Sequence, residues 1–354
     1  MMVNIFYAGN RDEFNEYQIH IKNALDYVNI KYSLTIDPID PLKIDYIVYA
    51  GNRDEFSEYQ IHIKNALDYV NIKYSLTIDP IDPLKIDYIV YAPNGDLKDF
   101  QPFKNVKLVQ NLWAGVEVPI ANETLTQPLA RMVEPGLTLG MADYVMGHVL
   151  RYHLNTDKFQ NALPGEWHGD QIPPLSKNRS VGVLGLGELG MHCASKLSEF
   201  GFKVSGWSRS KKTHPNIQCM NGIDGLDTIL KCSEIIVLLL PNTKETLEII
   251  NEESINKMRF GVSIINPGRG TLINDDALLN ALNSGKILGA TLDTFNEEPL
   301  PKDHKYWSHP KVLVTPHIAS ATRIDTACQI LAENIKRGET QKPFKYLVNK
   351  LSGY

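Results

Sequence analysis

Gly185-x-Gly187-x-x-Gly190 is the spacing in this chain best suited to holding a ligand. An apolar run at 181–184 leads straight into it, and an amphipathic stretch follows at 191–200. The first glycine permits a tight turn, the second lets backbone approach a pyrophosphate, and the third lets a helix pack on a strand. Phosphates would sit at the N-terminus of that helix, against Gly185, Gly187, Glu188, Leu189 and Gly190. Farther on, three polar residues each follow an apolar, strand-like run: Arg269 in Asn266-Pro267-Gly268-Arg269, Glu298 in Asn296-Glu297-Glu298-Pro299, and His317 in Thr315-Pro316-His317. Imidazole is the side chain whose ordinary pKa lies nearest neutrality, which suits it to proton transfer. Taken singly, the three also read as a surface arginine, a loop carboxylate and a hydrogen-bonded histidine.

The nucleotide can be read from the second strand of the same unit. An NAD site usually places Asp or Glu at its end, to hold the ribose 2′-hydroxyl. Here residues 202–207 are followed by Ser208-Arg209-Ser210-Lys211-Lys212, with no acid. A carboxylate would repel a 2′-phosphate, whereas Arg and Ser can bind one through charge-assisted hydrogen bonds. The turn therefore favours NADPH over NADH; its other reading is a solvated basic turn.

These residues need strands and helices to position them, and the chain is long enough to supply them. Its 354 residues suit two domains with sizeable cores. A net charge of −5 gives no basic surplus for nucleic acid. No apolar run reaches membrane-spanning length, and the opening Met-Met-Val-Asn-Ile-Phe-Tyr does not read as a leader. Four scattered cysteines form no metal or redox motif and fit a reducing compartment, so the cytoplasm is expected. From 180 to about 318, strands at 235–240, 262–266, 289–293 and 312–315 alternate with helices. Residues 142–154 suit a long linking helix, and the Pro- and Trp-containing stretch 160–178 reads as a long loop. The helix after 318 is placed to return to the first domain.

The front of the chain is duplicated. Residues 8–49 and 50–91 carry the same text with one difference, Asn15 against Ser57. Two near-identical copies do not make a repeat architecture, which needs three or more diverged units. They look like a recent tandem duplication or an assembly error. One copy completes an α/β unit and the other has no sheet to join, so one copy is expected to pack poorly. The first copy brings a plausible opening strand, Val3 to Tyr7; the second runs directly into the downstream chain, and the strand at 44–49 can stand where that opening strand would go.

Together, in this order behind the glycine loop, Arg269, Glu298 and His317 resemble the D-2-hydroxyacid dehydrogenase family. The likeness runs from about residue 87 to the end and is nearest the glyoxylate/hydroxypyruvate reductase A branch, including Leu240-Pro241-Asn242-Thr243 and the ending Leu351-Ser352-Gly353-Tyr354. The resemblance implies an α/β fold of two doubly wound parallel-sheet domains. These are a Rossmann NADP-binding domain at 142–318 and a flavodoxin-like substrate domain at 1–141 with 319–354. It implies NADPH-dependent reduction of glyoxylate and hydroxypyruvate by a homodimer, without metal. Hydride added to a 2-oxo acid leaves negative charge on the carbonyl oxygen, and His317 is the acid expected to meet it. The family's pattern makes Glu298 the partner of that imidazole and Arg269 the group that polarises the carbonyl and holds the substrate carboxylate. It places the Ala114 and Gly115 amides on that carboxylate and Trp167 at the substrate pocket or a subunit interface. It gives Asp293 to the nicotinamide carboxamide, and Leu240, Pro241, Thr243 and Pro267 to the remainder of the cofactor.

Two local departures stand out: Pro267 where relatives carry a small or aliphatic residue, and Glu117 where Asp is common. Two other readings stay open. One is an NADH-dependent dehydrogenase of another D-2-hydroxy acid. The other is a dinucleotide-binding protein impaired in catalysis or acting as a sensor, against which the retained Arg269, Glu298 and His317 argue.

Overall fold

Helix-length stretches separate most of the short apolar strands, so the strands pair in parallel. The computed structural model describes residues 3–6, 32–35, 42–43, 47–79, 82–160, 165, 167 and 169–350. The chain divides into two units. One holds Met1–Leu112, Asn122–Arg131 and Ile324–Leu347, and the other holds Trp113–Ala121, Met132–Arg323 and Val348–Tyr354.

The first unit carries a five-stranded parallel sheet in the order β6 (Leu76–Thr77), β4 (Ile47–Ala50), β7 (Tyr88–Tyr91), β8 (Leu108–Asn111) and β9 (Leu129–Ala130). Its helix Phe56–Tyr69 turns Tyr59, Ile63 and Leu67 inward, a stripe spaced by four residues. The helix Ile324–Glu339 packs against it, so the chain does return to the first unit. That helix is tied down by polar contacts: the Tyr88 hydroxyl donates to Glu339 (2.6 Å), and the buried Asn334 amide donates to Gln110 (2.8 Å).

The duplication resolves in one direction. β4 closes the first copy in sequence, yet it stands as the opening strand of the sheet that the second copy completes. Earlier strands stay apart: β1 (Val3–Phe6) pairs with β2 (Tyr32–Thr35), and β3 (Leu42–Lys43) pairs with β5 (Ile72–Lys73). The β1–β2 ladder matches Ile5 to Leu34 and Phe6 to Thr35; the β4–β6 ladder matches Ile47 to Leu76 and Val48 to Thr77. Every partner lies 42 positions from its counterpart, so both copies use one register. The expected poor packing of a copy falls on side chains outside the described residues.

In the second unit seven strands form one parallel sheet: β12 (Gln218–Met220), β11 (Lys203–Trp207), β10 (Ser180–Leu184), β13 (Ile235–Leu238), β14 (Val262–Asn266), β15 (Ile287–Leu292) and β16 (Val312–Val314). β13 and β14 are buried along their whole length, as expected of strands covered on both faces. The long helix begins earlier than residue 142, at Pro135, and runs to Leu154. Glu134 starts it by accepting from the amides of Leu137 (2.6 Å) and Gly136 (2.5 Å), with proline in the first turn. This helix belongs wholly to the second unit, and the boundary expected at 141/142 lies inside it. In the loop expected at 160–178, residues 161–164, 166 and 168 lie outside the described residues. Among the described residues no helix is long and apolar enough to cross a membrane.

Candidate active site

Because all seven strands of the second unit run the same way, the loops after them emerge along one edge. The order changes direction between β10 and β13, and open α/β sheets bind ligands at such a point. The glycine loop follows β10, residues 239–243 follow β13, Arg269 follows β14, Asp293 and Glu298 follow β15, and His317 follows β16. The sheet alone thus gathers most of the candidate residues.

The glycine loop has the shape its spacing requires. Gly185 adopts φ +109°, and side-chain atoms there would press on the Leu239 carbonyl; at Gly190 they would collide with the Gly185 carbonyl. Nothing lies within 4 Å of the corresponding position on Gly187, the N-cap of the helix Glu188–Phe200. That open place at a helix N-terminus can receive a phosphate. Half-buried Leu189 stands in the helix's first turn beside exposed Glu188. Beside the loop a cavity of about 410 Å³ is lined by Gly187, Glu188, His192, Ser195 and Lys212 among others.

After β11, Arg209, Ser210 and Lys211 are exposed, whereas Ser208 is buried and its hydroxyl closes the turn onto the Ser210 carbonyl (2.7 Å). Leu240 is buried among core side chains. The Thr246 hydroxyl braces the next turn, donating to the Pro241 carbonyl (2.7 Å) and accepting from the Thr243 amide (2.9 Å).

His317 Nδ1 lies 2.7 Å from Glu298 Oε2, and the other Glu298 oxygen accepts from the Phe295 amide (2.9 Å). The carboxylate is therefore fixed by its own loop, and an Nδ1–H bonded to it leaves Nε2 as the second working nitrogen. His317 adopts φ +54°, a conformation uncommon for a residue with a side chain, and its backbone amide donates to the Asp293 carbonyl (2.9 Å).

Asp293 is fully buried. Its carboxylate accepts from the Thr315 hydroxyl (2.6 Å), the Ile318 amide (2.9 Å) and the Ala319 amide (2.9 Å). It thus grips both sides of the His317 turn, a role the sequence reading did not give it. The capture of residues 318 and 319 also explains why the returning helix starts only at Ile324. Tyr144, on the long helix, extends this network with its hydroxyl 2.7 Å from Thr315 Oγ1.

Arg269 is held by Asn266, whose side chain donates to the Arg269 carbonyl (2.9 Å) and accepts from the Gly268 amide (3.1 Å), bracketing buried Pro267. The Gly270 Cα packs directly against the Phe295–Asn296 backbone, so the Arg269 and Glu298 loops touch. The guanidinium itself pairs with neither Glu298 nor His317. Its Nε donates to Glu117 Oε1 (2.8 Å) and its Nη1 to the Gly268 carbonyl (2.7 Å). Ala114 and Gly115 are half-buried, and Gly115 faces Arg269 closely enough that a side chain there would strike Nη2.

Trp167 is not part of this cluster. It is 94% exposed among the described residues. The Glu117–Arg269 pair was missed by sequence reasoning; its only trace was the unusual Glu at 117.

Residues 145–319 match the family described as D-isomer specific 2-hydroxyacid dehydrogenase, NAD binding domain. The glyoxylate/hydroxypyruvate reductase A of Citrobacter koseri is 37% identical over 64% of this chain and 73% of its own length. That of an Enterobacter species is 36% identical over 71% and 83%. Among solved structures, a D-isomer specific 2-hydroxyacid dehydrogenase from Xanthobacter autotrophicus in complex with NADPH and MES superposes with TM-score 0.81 and 34% identity, covering 87% of this chain and 99% of that one. An NADPH-dependent glyoxylate/hydroxypyruvate reductase from Sinorhizobium meliloti, in complex with NADP and sulfate, gives 0.75 and 31%, covering 88% and 99%. Both are matched almost end to end while about an eighth of this chain is left over, close to the length of one copy of the duplicated text. The chain belongs to the D-isomer specific 2-hydroxyacid dehydrogenase family.

Proposed function

We propose that the protein is a cytoplasmic, homodimeric NADPH-dependent reductase of short 2-oxo acids, glyoxylate to glycolate and hydroxypyruvate to glycerate. The observation that carries this reading is the 2.7 Å pairing of His317 with Glu298, on a loop edge shared with the glycine turn and Arg269. The names of the bacterial reductases and the NADP complexes of similar structures support the substrate and cofactor.

The residues present fit NADPH: Gly187 leaves an open place at a helix N-terminus, and the turn after β11 offers Arg209 and Lys211 without a carboxylate. When bound, the cofactor would supply the hydride. Arg269 would hold the substrate carboxylate and draw charge onto the carbonyl oxygen, helped by the Ala114 and Gly115 amides. His317 would deliver the proton to that oxygen from Nε2, while Glu298 keeps the ring oriented. Asp293 remains a candidate for the nicotinamide amide in addition to the turn it already holds. Exposed Trp167, with Ile172 and Leu175 farther along, supports a partner subunit that covers this stretch.

Initial rates with glyoxylate test the assignment. NADPH should be clearly preferred over NADH. Replacing Arg209 and Lys211 together by alanine should raise the KM for NADPH about 10–100-fold, the worth of one or two charge-assisted bonds, and leave the NADH rate unchanged. A preference for NADH in the unaltered enzyme would overturn the cofactor reading, and no turnover with any 2-oxo acid would overturn the reaction.

A further inference from the structure

We propose that Glu117 is a positioning residue, holding the Arg269 guanidinium by its Nε–Nη2 edge so that the remaining N–H groups are presented to a 2-oxo acid. This rests on the reductase reading above. Arginine has five N–H donors in a planar fork. Nε donates to Glu117 Oε1 at 2.8 Å, Nη2 to Glu117 Oε2 at 3.4 Å, and Nη1 to the Gly268 carbonyl at 2.7 Å. One N–H is left on each terminal nitrogen, a pair able to meet a carboxylate or a carbonyl oxygen.

Glu117 is itself well held. It opens the short helix Glu117–Ala121, and its side chain is 33% exposed. Burial pushes its carboxyl up, but the charge and hydrogen bond of Arg269, with the backbone amides of Glu117 and Asn242, outweigh burial and hold it below the usual carboxylate range. It therefore stays ionised at neutral pH and links the loops after β13 and β14. Gly115 completes the arrangement: a Cβ there would strike Nη2 and lie 2.9 Å from Glu117 Oε2. An aspartate at 117 would draw the carboxylate back by about 1.5 Å, one carbon–carbon bond, and break contact without a loop shift.

An ordinary ion pair at this place would steady the fold and leave turnover alone, so kinetics separate the two roles. The test compares Glu117→Ala, Gly115→Ala, Arg269→Ala and the Glu117→Ala/Arg269→Ala double variant, using glyoxylate and NADPH. Glu117→Ala should lower kcat/KM for glyoxylate about 10–100-fold, the cost of a misplaced group, with NADPH affinity and Tm unchanged. Gly115→Ala, which displaces the guanidinium while keeping Glu117, should show the same loss. In the Arg269→Ala background, removing Glu117 should cost nothing more. Wild-type turnover in Glu117→Ala and Gly115→Ala, or an undiminished Glu117 effect without Arg269, would overturn the proposal. Full turnover in Arg269→Ala would instead sink the reductase reading itself.

Discussion

His317→Asn should fold and bind NADPH as the unaltered protein does, and lose about 10²–10⁴ in kcat for glyoxylate. Asparagine is the informative replacement because of the backbone. Position 317 sits at φ +54°, a left-handed conformation that asparagine adopts more readily than most residues. The turn held by Asp293 through Thr315, Ile318 and Ala319 should therefore survive the change. What disappears is the imidazole that, paired to Glu298 at one nitrogen, can carry a proton on the other. Steady-state rates, NADPH fluorescence titration and a melting curve on one preparation give the answer. A kcat within tenfold of the unaltered enzyme, with Tm preserved, would remove His317 from the role of acid.

Ile63→Asp should unfold the first unit, while the same change at its twin, Ile21→Asp, should leave Tm and turnover near their original values. Ile63 has no solvent exposure and lies between Tyr59 and Leu67 on the inward stripe of its helix. A carboxylate there loses the apolar burial and is forced out of water unpaired. The combined cost is several kcal/mol, comparable with the whole stability of a typical domain, about 5–15 kcal/mol. The twin carries the same letter in the first copy, of which β4 joins the five-stranded sheet among the described residues. Loss of stability at Ile21 instead of Ile63 would mean that the first copy builds the sheet. Tolerance of both single changes, with unfolding only when they are combined, would mean that either copy can serve.

The second unit was legible because its signals are local. The glycine turn, the alternation of apolar strands with helices and the absence of an acid after Trp207 can all be read within a few residues. A parallel sheet then delivers the loops to one edge without further information. The contacts that finish the site are not local. Arg269 meets Glu117 across 152 positions, and the carboxylate of Asp293 is claimed by donors up to 26 positions away. No spacing rule announces either. Trp167 stands outside these contacts: a large aromatic residue in a loop signals burial against something, and in the single chain it is 94% exposed. The duplicated front was undecidable by text, since the copies differ at one residue. Chain adjacency decides it, because the second copy ends in β7 and runs directly on to β8.

The shared register of the two ladders limits how such a chain can grow. β4 replaces the opening strand without disturbing its neighbours because the added stretch brings back the same pairing, residue for residue, 42 positions later. An insertion one residue longer or shorter would turn Ile47 and Tyr49, now wholly enclosed, toward the opposite side of the pleat. Lengthening at this point is therefore quantised: a complete module keeps the pairing of the ladder, and a fraction of one does not.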